Sequence, residues 1–250
     1  MSVARQVATL LLEAHATGRQ IAPFAVPVLE QLDDAYAAQD LVVRELGANR
    51  RVQAWKAIPP QGGAEPRAAP VFPGRVFDSP AALSASGLHM LGVEAEIGYR
   101  FAREVSPSAS DEEIAGAVQE ALVTIELCDS RLQDWKTATV LWRLADLQSN
   151  AALVLGSGLR DWRALQFSAQ RAELWLDGAI RAAATASHPC GDPFGSVPWL
   201  VRHLAARGAR LRPGDVVTTG SWTGMTFVDA GAEVLVRFPG IGEARLRIAA

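Results

Sequence analysis

An α+β fold with a mainly antiparallel or mixed sheet is what this sequence predicts, on three observations. Helical apolar stripes gather at the N-terminus and between strands. The strand-like runs are mostly joined by short turns, which suits antiparallel or mixed pairing. Neither G-x-G-x-x-G nor a Walker sequence occurs, so a doubly wound nucleotide fold loses its usual support. At 250 residues and 49% hydrophobic composition, the chain can bury one large core. Residues 1–50 read as a helical segment packing on that core and 51–250 as the catalytic domain, the two forming one structural unit.

Taken in order, Val3, Val7, Leu10, Leu11 and Ala14 sit at helical spacing between a capping Ser2 and a terminating Gly18. A second helix is expected from Leu29 to Leu46, closed by Gly47. Val52–Ile58 alternates loosely as a strand, and the Pro/Gly/Ala-rich stretch Pro59–Pro70 reads as a long loop of the kind that forms lids and binding loops. His89–Phe101 reads as one strand. Ser110-Asp111-Glu112-Glu113 is a capping box, opening a helix expected to run through Ala121. Val123–Asp129 is strand-like and Val140–Leu155 is expected to be helical. Arg171–Ala183 reads as a hairpin turning at Asp177-Gly178. Pro198–Arg207 is a short helix stopped by Gly208. From Gly214 onward further strands follow, one pair joined at Pro239-Gly240-Ile241-Gly242.

Composition narrows the function classes. A formal net charge of −3, with Lys and Arg dispersed, gives no electrostatic case for nucleic acid or an anionic membrane. The two cysteines, Cys128 and Cys190, are too few and too scattered for a disulfide framework or a zinc cluster. No apolar run reaches the roughly 18 residues that span a bilayer, and no secretory pattern opens the chain. A cytoplasmic location is therefore expected.

The chemistry concentrates in Leu91-Gly92-Val93-Glu94-Ala95-Glu96-Ile97. On a strand, Glu94 and Glu96 leave the same face, and the next strand places Glu126 inside another apolar run, with Asp129 three residues on. Either these carboxylates face water, or they share an inward site. Burying like charges together is costly, and a divalent cation would remove the cost with hard oxygen ligands of the kind Mg²⁺ and Mn²⁺ prefer. None of His15, His89, His188 and His203 sits at ligand spacing with them, which disfavours zinc. Lys56, in Ala54-Trp55-Lys56-Ala57-Ile58, is either a lysine reaching to the surface or a desolvated amine whose lowered pKa lets it move protons.

The ordered segments G-V-E-A-E-I, I-E-L-C-D-S-R-L-Q-D-W-K, A-D…V-L-G and L-R-P-G-D-V-V-T-T-G-S resemble the 2-keto-4-pentenoate hydratase / 4-oxalocrotonate decarboxylase branch of the fumarylacetoacetate hydrolase superfamily, over nearly the whole chain. The resemblance implies a mixed β-roll core with N-terminal and peripheral helices. It implies a Mg²⁺ or Mn²⁺ ion on Glu94, Glu96 and Glu126, and an acid/base role for Lys56. Thr219 and Ser221 fall where the family's hydroxyls grip the substrate carboxylate. The implied activity is hydration of 2-hydroxypenta-2,4-dienoate-like α-keto or enol acids in aromatic-compound catabolism. Decarboxylation of 2-oxo-3-hexenedioate is the alternative, and a non-catalytic homologue that stabilises an active partner is a further one. C–C hydrolysis ranks lower, for want of a well-placed His. A homo-oligomer is expected, with a complex with a pathway enzyme as an extension of that expectation.

Three segments depart from the family pattern. Ala57-Ile58-Pro59-Pro60-Gln61 replaces a Gly-Leu-Thr-Ser loop and deletes two backbone donors. Leu147 stands where an asparagine is usual, in Ala145-Asp146-Leu147-Gln148-Ser149, and Arg67-Ala68-Ala69-Pro70 replaces an aromatic-glycine turn. These changes predict a retained metal and an altered pocket. Asp129, Arg131 and Lys136 are expected to form an ion-pair network orienting the ligands. Trp142 is expected in the core, and Cys128 as an apolar filler beside Glu126.

Overall fold

The computed structural model describes residues 1–22, 27–48, 50–60 and 65–250. Helix α1 (Val3–Thr17) opens on Ser2, whose side chain accepts the Arg5 N–H, and closes on Gly18 at φ 65°. Helix α2 (Leu32–Leu46) begins three residues after the expected Leu29 and ends at Gly47. Val7 and Leu11 of α1, with Tyr36 and Val42 of α2, are buried in one cluster with Ile97, Val123 and Ile125 from the strands. Each such side chain contributes on the order of 1.5–3 kcal/mol of burial free energy.

The strands begin with β1 (Ala54–Ile58), β2 (Arg67–Pro70), β3 (Val76–Asp78), β4 (Ala81–Ser84) and β5 (Gly92–Phe101). After helix α3 (Asp111–Ala115) come β6 (Val118–Cys128), helix α4 (Val140–Ala145) and β7 (Asn150–Leu159). The hairpin β8 (Arg171–Leu176) and β9 (Ala179–Thr185) precedes helix α5 (Val197–Ala206). The chain ends with β10 (Val216–Ser221), β11 (Thr226–Phe227), β12 (Glu233–Phe238) and β13 (Gly242–Ala249). An eight-stranded sheet runs β2-β1-β10-β5-β6-β7-β3, with β11 also on β5, and a five-stranded sheet runs β4-β13-β12-β8-β9. Pairing is antiparallel except for β1 with β10, β3 with β7 and β4 with β13. The two sheets meet through glycines: a Cβ on Gly156 would collide with the Glu243 carbonyl oxygen, and one on Gly242 would lie 2.5 Å from that of Ser157. Among the described residues, no helix is long and apolar enough to cross a membrane.

Three expected elements are corrected. Arg67–Pro70 is a strand paired antiparallel with β1, not loop; as the sheet edge it tolerates Pro70. The rest of that expected loop at 61–64 lies outside the described residues. The capping box at Ser110 forms as read, but its helix stops at Ala115, and Val118–Cys128 joins β5 instead of extending the helix to Ala121. The expected helix Val140–Leu155 divides: α4 ends at Ala145, and Asn150 onward is β7 between β6 and β3. A short, fully buried apolar run such as Ala151–Leu155 reads alike as helix or strand, and only its pairing partners decide. The Asp177-Gly178 turn forms with both residues at positive φ, 50° and 83°, as a two-residue hairpin requires.

The α2–α5 junction carries a pH-dependent contribution to stability. The half-buried His203 ring stacks on Trp199 (4.6 Å) and tilts against Tyr36 (4.7 Å). Burial, then the Arg207 guanidinium, pulls its pKa down to about 4, against a small opposing pull from Asp33. The unfolded ring, near 6.5, takes its proton first, so this contribution is full above about pH 6.5 and is lost as pH falls toward 4. His203→Phe should therefore give a shallower fall in Tm between pH 7 and 5 than wild type, measured by thermal melts; parallel slopes would rule the contribution out.

Candidate active site

Strand pairing brings the acidic residues together. Glu94 on β5 lies directly opposite Glu126 on β6, and Glu96 opposite Thr124. Glu96, 1% exposed, and Glu126, fully buried, do not face water, and Glu94 is half-buried on the cleft wall. Ligand atoms of Glu94, Glu126 and Cys128 all lie within 4.8 Å of one another. Glu96 is held slightly apart, its Oε2 accepting from the Thr218 hydroxyl and, at 3.0 Å, from the Gly220 N–H. Burial, then the charge of Glu126, raises both neighbours, Glu94 to about 8 and Glu96 to about 7. Burial also lifts the Cys128 thiol well above its usual range, so it stays a neutral thiol.

Lys56 stands among these carboxylates. Its Nζ donates to Glu126 Oε1 at 2.5 Å and to the Gln148 carbonyl at 2.9 Å. Burial alone would lower the amine's pKa, but Glu126, with Cys128, Glu94 and Glu96, outweighs burial and raises it. The expected fall toward neutrality is thus corrected for the chain by itself: one ammonium faces three carboxylates. Glu126 Oε1 also accepts from Asn150 Nδ2 at 2.9 Å, whereas Glu126 Oε2 is buried with no hydrogen-bond partner.

Leu147, Gln148 and Ser149 form a left-handed turn, with φ of 54°, 51° and 60°. Such a conformation costs on the order of 1–3 kcal/mol per non-glycine residue, so the surroundings must enforce it. Asp146 does so from below: its Oδ1 accepts from Arg131 Nε at 2.5 Å, its Oδ2 from the Ser130 hydroxyl at 2.9 Å, and its carbonyl from Arg131 Nη2 at 2.9 Å. The turn aims the Gln148 carbonyl at Lys56. Asp129 accepts the His89 and Met90 N–H groups at 2.9 and 2.8 Å and lies 3.9 Å from Arg131. Lys136 takes no part in that network; it lies over the Trp135 and Phe227 rings at 5.8 and 5.7 Å.

Of the two hydroxyls expected on the substrate, Ser221 lines the cleft and donates to the Gly224 carbonyl at 3.1 Å. Thr219 is a correction. Alternation along β10 turns it to the opposite face, where its hydroxyl donates to the Ile97 carbonyl at 2.7 Å, and Thr218 takes the inward position. Gly220, at φ 109°, packs under Pro59, whose Cδ would stand 3.1 Å from an added Cβ. His188 Nε2 donates to the Thr219 carbonyl at 2.8 Å while Nδ1 accepts from the Cys190 N–H, so both nitrogens are occupied. The resulting cleft is about 340 Å³, with Glu94, Glu96, Lys56, Gln148 and Arg143 on its wall. Thr218, Asn150 and Gln148 were not legible in the sequence, because each acts through a neighbour distant along the chain; Arg143 was missed because only the folded chain brings it to the cleft wall.

Residues 35–249 match the family model for the fumarylacetoacetate (FAA) hydrolase C-terminal domain. The chain is 29% identical to a 2-keto-4-pentenoate hydratase of Paraburkholderia xenovorans (strain LB400), over 96% of this chain and 93% of that protein. It is 28% identical to the TodF product hydratase of Pseudomonas putida F1, over 95% and 92%. In structure it resembles the 4-oxalocrotonate decarboxylase from Pseudomonas putida G7, complexed with magnesium and adipate: TM-score 0.83, 20% identity, 98% of this chain and 97% of that one. Helices clustered at the N-terminus, a strongly curved mixed sheet and a match over most of the chain agree: this protein belongs to the fumarylacetoacetate hydrolase family.

Proposed function

We propose that the chain is a divalent-cation-dependent lyase that hydrates 2-hydroxypenta-2,4-dienoate-like α-keto or enol acids. The observation that carries this reading is Glu126 Oε2, a buried carboxylate oxygen without a partner in a cluster where three carboxylates meet one ammonium. Orphaned buried acceptors are costly, and this donor set fits a hard cation. Glu94, Glu126 and Glu96 would hold Mg²⁺, or Mn²⁺ as the other ion of its class; the neutral Cys128 thiol adds no soft ligand. When bound, the ion supplies Lewis-acid polarisation of a keto oxygen.

The chain's own groups do the rest. Asn150 and Lys56 both hold Glu126 Oε1, which leaves Oε2 as the free ligand atom. Thr218 and Gly220 orient Glu96. An ammonium has three donors; Lys56 uses two on Glu126 and Gln148, and the third serves the substrate in the cleft it lines. The carboxylate charge that raises its pKa is the charge a divalent ion would neutralise, which would bring the amine toward a range where it can give and take protons. Pro59 closes one wall without a backbone donor. Homo-oligomeric assembly belongs to the same proposal.

The test is the loss of dienol absorbance when purified protein meets 2-hydroxypenta-2,4-dienoate. Turnover should require Mg²⁺, vanish on chelation and return on its readdition. Full turnover in chelator, or none across a panel of α-keto and enol acids, would refute the reading. The second reading, decarboxylation of a 2-oxo-3-hexenedioate-like diacid, is favoured by Arg143 on the cleft wall; CO₂ release separates the two.

A further inference from the structure

A second cavity, of about 290 Å³, shares no lining residue with the cleft. Local sequence builds its rim. Phe72-Pro73-Gly74-Arg75 is a β-turn with proline followed by a positive-φ glycine (84°), closed by the Arg75 N–H on the Phe72 carbonyl at 2.9 Å. The turn packs on the end of α2: a Cβ on Gly47 would lie 3.2 Å from Pro73 Cγ, and one on Gly74 would lie 2.6 Å from Arg50 Nη1. Arg50 and Arg75 thus meet on one wall, with Arg131 beside them. Arg131 is held by Asp146 at 2.5 Å and lies 3.9 Å from Asp129, the one carboxylate among the described lining residues. Among the described residues neither Arg50 nor Arg75 makes an ion pair, and the residues outside that set contain no Asp or Glu. Three guanidiniums therefore face two carboxylates, an excess of one positive charge. Asn150, fully buried, lines the same cavity. Its Nδ2 must face the Glu126 carboxylate, so Oδ1 is the atom left over, buried without a hydrogen-bond partner. Leu46, Phe72 and Leu88 make the remaining wall apolar.

One uncompensated positive charge, a buried acceptor in need of a donor and an apolar wall together match a small monoanion that carries a hydroxyl. We propose that this cavity is a second ligand site, which takes a small hydroxy monocarboxylic acid, and that its occupancy tightens divalent-cation binding in the cleft. Arg50 and Arg75 take the carboxylate, and Asn150 Oδ1 accepts from the hydroxyl. Coupling follows from residues common to the cavity wall and the frame of the carboxylate cluster. Asn150 Nδ2 holds Glu126, and Arg131 holds Asp146, whose turn aims the Gln148 carbonyl at Lys56. A negative charge bound beside that frame attracts the cation, and linkage makes the effect reciprocal. The site stands whatever acid the cleft turns over.

His15, T-shaped against Phe72 at 5.3 Å in the cavity wall, reports occupancy by NMR. Titrated into the Mg²⁺-loaded protein, lactate should move the His15 imidazole signals saturably, and lactamide, its uncharged analogue, should not. Propanoate, which lacks the hydroxyl, should bind at least about threefold more weakly than lactate. Arg50→Gln should weaken lactate about tenfold or more, the loss of one charge-assisted contact, and leave turnover without lactate within about twofold of wild type. Any response of His188, beside the cleft, should be equal in the two proteins. By calorimetry, saturating lactate should tighten Mg²⁺ binding on the order of two- to tenfold in wild type, and Arg50→Gln should lose that gain. An unmoved His15, or a response to lactamide equal to that to lactate, would overturn the site. Inorganic phosphate bound more tightly than lactate would overturn the carboxylic-acid assignment, propanoate as tight as lactate the role of Asn150, and an equal Mg²⁺ gain in both proteins the coupling. If Arg50→Gln fails to fold, the wild-type lactate-to-lactamide ratio at His15 still decides.

Discussion

Glu126→Gln should abolish turnover and weaken Mg²⁺ binding by at least about 10²-fold while leaving the fold intact. Its carboxylate is fully buried. Oε1 is committed to Lys56 and Asn150, and Oε2 has no partner. Glutamine preserves the shape and can still accept from both donors at Oε1, but it puts an N–H₂ where the free acceptor stood. A donor aimed at a cation site repels the ion outright. Stability without metal should change little. Two carboxylates about 5 Å apart repel by about 3 kcal/mol at an effective dielectric of 20, so losing one charge relieves repulsion as it weakens the Lys56 pair. Calorimetry for Mg²⁺ affinity and a melt without metal check both halves. Wild-type Mg²⁺ affinity in a folded Glu126→Gln protein would remove the basis for the metal site.

Lys56→Met should lower kcat by on the order of 10²–10⁴, the range for loss of a positioned proton-transfer group. A second, separable effect is also expected. Lys56 is the ammonium within hydrogen-bonding reach of Glu126 and the donor to the strained Gln148 carbonyl. Removing it leaves buried carboxylates unpaired, which costs up to about 3–5 kcal/mol, so Tm without metal should fall. Added Mg²⁺ should restore Tm, because a cation can neutralise the same cluster, yet turnover should stay low, because no ion replaces the missing N–H. Thermal melts with and without Mg²⁺, run beside steady-state rates, separate the two effects. A rate within threefold of wild type would return Lys56 to a purely structural role.

Much of the scaffold was written locally. Ser2 and Gly18 bound the first helix, Ser110 and Glu113 form a reciprocal cap, and Asp177-Gly178 turns a hairpin, because caps and turns are decided within four or five residues. The same-face placement of Glu94 and Glu96 follows from strand alternation alone. The family signature pointed to a buried carboxylate cluster, and the strand register supplied its geometry.

Where neighbours come from afar, local reading failed. Val118–Ala121 and Asn150–Leu155 became strands because β5, β6 and β3 had edges to satisfy, which outweighs intrinsic preference in apolar runs. Thr218 rather than Thr219 faces inward, since the register of β10 beside β5 sets the face. The direction of the Lys56 pKa depends on carboxylates 38 to 70 residues away in sequence. By itself, then, the sequence determined the caps at Ser2, Gly18, Gly47 and Ser110, the Asp177-Gly178 turn and which acids share a strand face, since each depends on backbone geometry over a few residues. Only the tertiary structure decided which donors hold those acids, which oxygen is left free and where Arg143 meets the cleft, since Coulomb and hydrogen-bond energies depend on distances that chain separation does not set.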